Sequence, residues 1–353
     1  MDPRYQRPLA RIPLVTALLL GLLATWGCRK DKPEEPLQAT AGPVGEHGVY
    51  ITNEGNFQWG NASVSFYDKV TQTATEDLYG PANGGPIGDV CQSMVLHGGK
   101  GYVVVNNSGK VVVVDPGTFV EQAVITGFQS PRYFLPVGDD KAYVSDYYAG
   151  KVAVVDLIGN AITGHIPCPG TTQEMVLHGG KAYVVNETRG EVHVIDVGTD
   201  AVTDTIVVNK GANSIVQDAH GKLWVACSGG GGTAPAIKRI DTQAAAVEAS
   251  FSYANSANNP WRLRINGTGD TLYFLKGGVF RMAINDPAAP TSAFIPADGR
   301  NLYGLGVDPS DGNIYLADAL DYTQRGVIYR YGPDGSLQGT FHAGINPSGF
   351  CFK

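Results

Sequence analysis

Charge is scarce in this sequence. Only 17% of its 353 residues are Asp, Glu, Lys or Arg, the formal net charge is −7, and no basic block occurs, which argues against nucleic acid as a partner. Cysteine is scarce too. Cys91, Cys168, Cys227 and Cys351 are scattered without CxxC or Cys/His spacing, so no zinc or redox motif can be read from them. Export would permit disulfides, but the spacing assigns none. There is no nucleophile elbow, no Ser/His/Asp spacing and no metal cluster, which leaves an enzyme only a site assembled from distant segments. An apolar run long enough to span a bilayer comfortably is also lacking: IPLVTALLLGLLATWG, at residues 12–27, is short.

That run follows Arg4, Arg7 and Arg11 and ends in small residues, so residues 1–27 read as a secretory signal. Removing them takes away three Arg and Asp2 and leaves a net charge of −9. ATWGC then resembles the lipobox of bacterial lipoproteins, with Cys28 as the lipidated N-terminus and Thr25 where that family usually has Leu. Ordinary cleavage near Gly27 is the alternative. Lipidation would hold the chain on a membrane without a spanning helix. Residues 28–47 form the anchor and a polar, Pro-containing leash, which at ~3.3–3.6 Å per residue reaches about 60 Å.

Glycine, by contrast, is abundant (46 residues), and it punctuates a repeat. MVLHGGKGYVVVNNSGKVVVVD at Met94 is written again at Met175 as MVLHGGKAYVVNETRGEVHVID, with a diverged copy, FLPVGDDKAYVSDYYAGKVAVVD, between them at Phe134. IVQDAHGKLWVACSGG, LRINGTGDTLYFLKGGVFRMA and LGVDPSDGNIYLADALDYTQRGVIYRY continue the series, and GVYITNEGNFQWGNASVSFYD supplies the second part of a first unit. The shared aromatic falls at Tyr50, Tyr102, Tyr143, Tyr183, Trp224, Tyr273 and Tyr315, at intervals of 40 to 52 residues. Four short strands per unit, here a to d, predict an all-β, seven-bladed β-propeller over residues 48–353. Runs such as KVVVVD are apolar at consecutive positions, as expected of a blade packed on both faces. The final NPSGFCFK aligns with SPRYFLPV and NPWRLRIN, so it is expected to supply strand a of the first blade and close the ring.

Within this pattern His97 and His178 occupy the a–b turn, where other units carry GDDK, AHGK and GTGD; turn-formers suffice there, and no metal role is assigned. DPSDGN at Asp308 resembles a calcium loop but lacks the downstream Glu and fills the same turn, so it too reads as a hairpin.

Alternating strands put the a–b and c–d turns on one face of the disc and the b–c loops and d-to-a crossovers on the other. The second face carries Asn53, Glu54, Asn56, Phe57 and Trp59, then Asn106, Asn107, Asp146, Tyr147 and Tyr148, and further on Asn186, Glu187, Arg189, Asp318 and Tyr322. The start of strand a sets a ring around the channel mouth: Gln92, Arg132, Gln173, Asn213, Trp261, Tyr303 and Ser348. One residue deeper come Ser93, Tyr133, Glu174, Ser214, Arg262, Gly304 and Gly349. Amides, arginines and large aromatics converging on a concavity suit a polar ligand with a flat apolar body. The candidate binding set is therefore Phe57, Trp59, Gln92, Asn106, Arg132, Tyr133, Tyr147, Tyr148, Gln173, Glu174, Asn186, Arg189, Asn213, Trp261, Arg262, Tyr303 and Tyr322. The plainer reading is that these groups satisfy loop backbone and solvent. Glu174, expected beside Arg132 or Arg262, would be an ion-pair member or a general base; no catalytic residue or metal ligand is assigned.

KAYVVNETRGEVHVIDVGTDAVTDTIVV resembles the YVTN-type (YncE-like) propeller repeat. With NEGNFQWGNASVSFYD, GDVCQSMVLHGGKGYVVVNNSGKVVVVD and NSIVQDAHGKLWVACSGG, it is similar to a group of Bacteroidetes-type surface lipoproteins, from about Gly48 to the end. Relatives in that group sit on a TonB-dependent outer-membrane transporter and capture cobalamin. The resemblance implies a non-enzymatic role in corrinoid capture, with cobalamin as transported ligand rather than cofactor, and a lipid-anchored place on the outer membrane, facing the cell exterior. Asp31, Glu34 and Glu35 are a diluted version of the acidic export stretch of such proteins, and Arg29, Lys30 and Lys32 weaken the match. A protein-binding or adhesion propeller, and a lyase-like or redox enzyme, remain as alternatives.

Overall fold

The computed structural model describes residues 44–254 and 258–353. Residues 1–27, Cys28 and the leash as far as residue 43 lie outside the described residues. The described strands form seven four-stranded antiparallel sheets, the blades of a β-propeller, each ordered a-b-c-d. Six blades use consecutive strands. The first is ordered Pro347–Phe352, Gly48–Asn53, Ser63–Asp68, Thr73–Thr75, so the last strand of the chain is its strand a. The seven a strands touch in succession, from Cys91–His97 of blade 2 through Pro131–Pro136, Thr172–His178, Ala212–Gln217, Trp261–Ile265 and Leu302–Val307. Pro347–Phe352 then returns to Cys91–His97 and closes the ring.

The consecutive valines now have a geometric cause. Successive side chains of a strand point to opposite faces. Val103, Val105, Val112 and Val114 pack with Tyr50 and Phe66 of blade 1, while Tyr102, Val104, Val111 and Val113 pack with Phe134 and Val144 of blade 3. Seven such clusters occupy the seven blade interfaces. Each fully buried Val contributes roughly 1.5–3 kcal/mol. The seven repeat aromatics are all buried. Several also reach a polar partner: Tyr50 donates from its hydroxyl to the Pro116 carbonyl at 2.5 Å, Tyr143 bonds the Asp200 carboxylate, and Trp224 Nε1 donates to Asp218 Oδ2 at 2.8 Å.

The turns follow their chemistry. His97 pairs with Lys100 across Gly98 and Gly99, whose φ angles are 55° and 75°, and Gly179 and Gly180 repeat this at 58° and 74°. Two successive positive φ values define the hairpin turn that only glycine enters cheaply. The aspartate closing strand c caps the next turn: Asp68 Oδ1 accepts from the Val70 and Thr71 amides at 2.8 and 2.9 Å, and Asp115 and Asp196 act likewise. In DPSDGN, Asp308 Oδ2 receives the Lys69 ammonium at 2.7 Å.

Two features flank the strands of blade 1. Val44, ahead of Gly48–Asn53, packs into the core between blades 1 and 2, and its amide donates to Gly117 O at 2.7 Å. A short helix, Tyr79–Asn83, lies in the crossover from blade 1 to blade 2. Cys91, Cys168, Cys227 and Cys351 are free thiols, and burial pushes those of Cys168, Cys227 and Cys351 up to about 12.

Candidate functional site

All seven a strands share an irregularity at their start. Cys91 and Ser93 face Val105 and Val104, so Gln92 is an extra residue on its strand. The same one-residue excess occurs between Pro131 and Phe134, Thr172 and Met175, Ala212 and Ser214, Trp261 and Arg264, Leu302 and Gly304, and Pro347 and Gly349. A β-bulge bends the strand and re-aims a side chain. Six of the bulges contain a residue of the predicted mouth ring; in blade 6 the bulge lies between Trp261 and Arg264, one step deeper.

Inside this ring is a cavity of about 540 Å3, within the usual size range for small-molecule sites. Every blade contributes to its lining, from Glu54 and Phe57 of blade 1 to Tyr303 of blade 7. A groove of about 440 Å3 adjoins it, sharing Ser228, Trp261 and Tyr303 and adding Tyr322.

Two arginines organise the cavity. Arg132 donates from Nη1 to Gln92 Oε1 at 2.7 Å and from Nε to Gln173 Oε1 at 3.1 Å, and its guanidinium lies 5.0 Å over the Tyr147 ring. Gln173 passes a bond from Nε2 to Glu187 Oε2 at 2.6 Å. Arg262 is buried, with its backbone at φ 54°, an uncommon conformation for a residue other than glycine. It donates to the Tyr133 hydroxyl at 3.3 Å, lies 3.9 Å from Glu54, and sits over the Trp261 and Tyr303 rings at 5.1 and 5.9 Å. Burial works against its charge, but the oxygens of Tyr133, Glu54, Tyr303 and Glu174 outweigh that and raise its pKa. Tyr303 donates to Glu54 Oε2 at 2.8 Å; burial, then Glu54, raises its phenol well above the ordinary value. Glu174 pairs with Arg264, whose Nη1 lies 3.0 and 3.2 Å from its two oxygens, rather than with Arg132 or Arg262. The partner is set across the channel, which the sequence of neither strand reveals. This pair connects blades 4 and 6 below the mouth.

Of the predicted set, Phe57, Asn106, Arg132, Tyr133, Tyr147, Tyr148, Gln173, Glu174, Asn213, Trp261, Arg262 and Tyr303 line the cavity. Tyr322 lines the groove. Four residues do not reach either. Gln92 is buried behind Arg132, and Asn186 is fully buried, donating to the Pro169 carbonyl at 2.9 Å. Arg189 turns outward to Glu191 at 2.8 Å, and Trp59 projects from the rim, 77% exposed. Lining residues absent from that set are Glu54, Asn107, Ser130, Glu187, Ser214 and Ser228. Ser214 belongs to the predicted deeper ring, and Glu54, Asn107 and Glu187 to the b–c loops, so loop position was their signal. Ser228 lies in CSGGGGTAP, the b–c loop of blade 5, and carried the same signal; Ser130, before the ring position of blade 3, carried none.

The family model described as a domain of unknown function (DUF5074) matches residues 47–331. No curated protein matches the chain. Among solved structures, a quinoprotein alcohol dehydrogenase-like protein from Bacteroides thetaiotaomicron is 16% identical with a TM-score of 0.69, over 88% of this chain and 79% of that one. A candidate 6-phosphogluconolactonase from Bacteroides uniformis is 14% identical with a TM-score of 0.67, over 88% and 100%. Hydrazine synthase of Kuenenia stuttgartiensis is 15% identical with a TM-score of 0.62, over 74% and 89%. At these identities the likeness concerns the fold alone.

Proposed function

The chain belongs to the DUF5074 family, and we propose that it is a lipid-anchored, surface-exposed lipoprotein with YncE-like repeats, which captures a bulky nutrient at the channel mouth. Cobalamin or a related corrinoid is the first candidate, and a TonB-dependent outer-membrane transporter is the proposed partner. The observation that carries the capture reading is convergence: seven blades contribute to one cavity of about 540 Å3, and its rim holds aromatic rings in the open. Phe57 is 64% and Tyr148 69% exposed. Exposed rings around a concavity are what a flat ligand body requires. Binding is favoured over turnover because Glu174, the acid suggested as a base, has both oxygens engaged by Arg264.

Calorimetric titration of cobalamin into the protein without residues 1–28, a deletion that leaves every strand of the propeller in place, tests the reading. One-to-one binding that Tyr148→Ala or Trp261→Ala weakens by about tenfold supports capture at this mouth. A flat trace from protein with an intact melting transition removes cobalamin. Trp59 favours a second role for the same face, contact with a protein, because it projects beside the cavity without lining it. Loss of transporter co-purification on Trp59→Ala, with cobalamin binding intact, would separate the two.

A further inference from the structure

We infer that Arg132 is an oxyanion-receiving subsite of the mouth cavity, and that the ligand taken there carries a carboxylate or phosphate on a planar body. This rests on the capture reading above and narrows the class of ligand. The inference starts from an asymmetry between the two arginines of the cavity. Arg262 has Glu54 at 3.9 Å. Arg132 meets no carboxylate among the described residues within ion-pair distance; its side-chain bonds go to two neutral amide oxygens.

Those amides are oriented for that task. Gln173 spends its NH2 group on Glu187 at 2.6 Å, which turns its oxygen to Arg132. Gln92 is 1% exposed; its oxygen accepts from Arg132, and its Nε2 is buried without a partner. Tyr147 supports the guanidinium from one face at 5.0 Å. A guanidinium has five N–H donors in a rigid fork, of which these contacts use two. Arg132 is thus held in place, remains charged, and keeps donors free in a concavity, which is the chemistry of a carboxylate or phosphate receptor.

The carboxylates of the cavity do not compete for it. Glu54 accepts from Tyr303, Glu174 is paired with Arg264, and Glu187 reaches Arg132 only through Gln173. The planar body is argued from the rings. Tyr148 stands edge-on to Tyr147 at 4.9 Å, and Trp261, Tyr303 and Tyr322 form a second chain of edge contacts at 5.9 and 5.7 Å.

Flavin mononucleotide and riboflavin share one flat ring system and differ by a phosphate, so they separate the two halves of the inference. Both are titrated by fluorescence and calorimetry into the protein lacking residues 1–28. The expected result is a preference for flavin mononucleotide of about tenfold to a hundredfold, shrinking as salt is added. Arg132→Gln erases the preference, bringing the affinities for the two flavins together, while Arg132→Lys, which keeps the charge but not the fork, retains part of it. Equal affinity for the two flavins overturns the subsite and leaves the capture reading standing. So does a preference that survives in an Arg132→Gln protein with a wild-type melting transition. If neither flavin binds, the subsite as stated is overturned even where cobalamin binds, and cobalamin alone then bears on capture.

Discussion

The Lys69 side chain reaches into DPSDGN, the turn that by sequence looks most like a cation site. Its ammonium is 2.7 Å from Asp308 Oδ2, and it reaches from the c–d turn of blade 1 to the a–b turn of blade 7, next to where the ring closes. Asp308 is almost wholly buried and Lys69 mostly so. Removing one partner of such a pair strands the other without solvent, so Lys69→Met is expected to destabilise the protein by about 2–3 kcal/mol, somewhat less than a fully buried pair, measured by denaturant unfolding. A double variant, Lys69→Met with Asp308→Asn, should recover part of the loss. Acid gives a second view of the same contact. Burial alone would raise the pKa of Asp308, but Lys69 and the bonds from Ser310 reverse this and hold it below the ordinary value. A carboxyl with a lower pKa in the folded state contributes stability that is complete above its unfolded value of about 3.9 and is lost as pH falls through the folded one. Melting temperatures recorded from pH 5 down to pH 2 should therefore fall less steeply for the double variant than for wild type.

Turns and bulges decide how the strands are joined, and they differ in how openly the sequence declares them. The repeated HGGK announces its turn. Gly99 has φ 75°, so Gly99→Ala is expected to cost about 1 kcal/mol, whereas His97→Ala should stay within about 0.5 kcal/mol of wild type. A larger loss from the histidine variant in differential scanning calorimetry would reopen a role for that side chain. The blades were equally legible, because a strand packed between two neighbours must be apolar on both faces, and KVVVVD and KVAVVD can satisfy little else. The mouth ring was legible by phase, since Arg132 and Trp261 follow a proline at the same step before strand a. What the pattern concealed was the extra residue at the start of every a strand. It lies ahead of the apolar run and leaves the periodicity inward of it untouched. Loop side chains were concealed for another reason. Asn186 ends its b strand level with Val105 of blade 2 and is fully enclosed, whereas Asn106 stands one residue further along, level with Glu187, and lines the cavity while donating to Ser130 Oγ and the Pro131 carbonyl. Which of two adjacent polar residues at a strand end faces the cavity is set by the alternation of the strand, which residue type alone does not show.

Closure belongs to the whole molecule. Strand Gly48–Asn53 is buried along its entire length because Pro347–Phe352 covers its inner edge. The same last strand sets Phe350 and Phe352 against Tyr315 of blade 7, at ring separations of 6.0 and 5.7 Å, and touches the a strand of blade 2. Deleting residues 347–353 would therefore do more than remove one strand's hydrogen bonds. It would bare an edge able to pair with another chain and open the core between blades 7 and 1. The expected outcome is loss of the cooperative melting transition and association seen by size-exclusion chromatography. A monomer melting within a few degrees of wild type would mean that the outer strands alone close the ring. A circular permutant separates the role of the strand from that of the chain end. The amide of Lys353 already donates to Gly48 O and its Nζ to Gly45 O, both at 2.9 Å, so a glycine-containing linker can join residue 353 to residue 44 and keep Val44 in its core cluster. New termini would then fall in the crossover near Phe128, between blades 2 and 3. That protein builds blade 1 from four consecutive strands and is expected to melt close to wild type, because closure requires the strand to be present and is indifferent to which end of the chain supplies it.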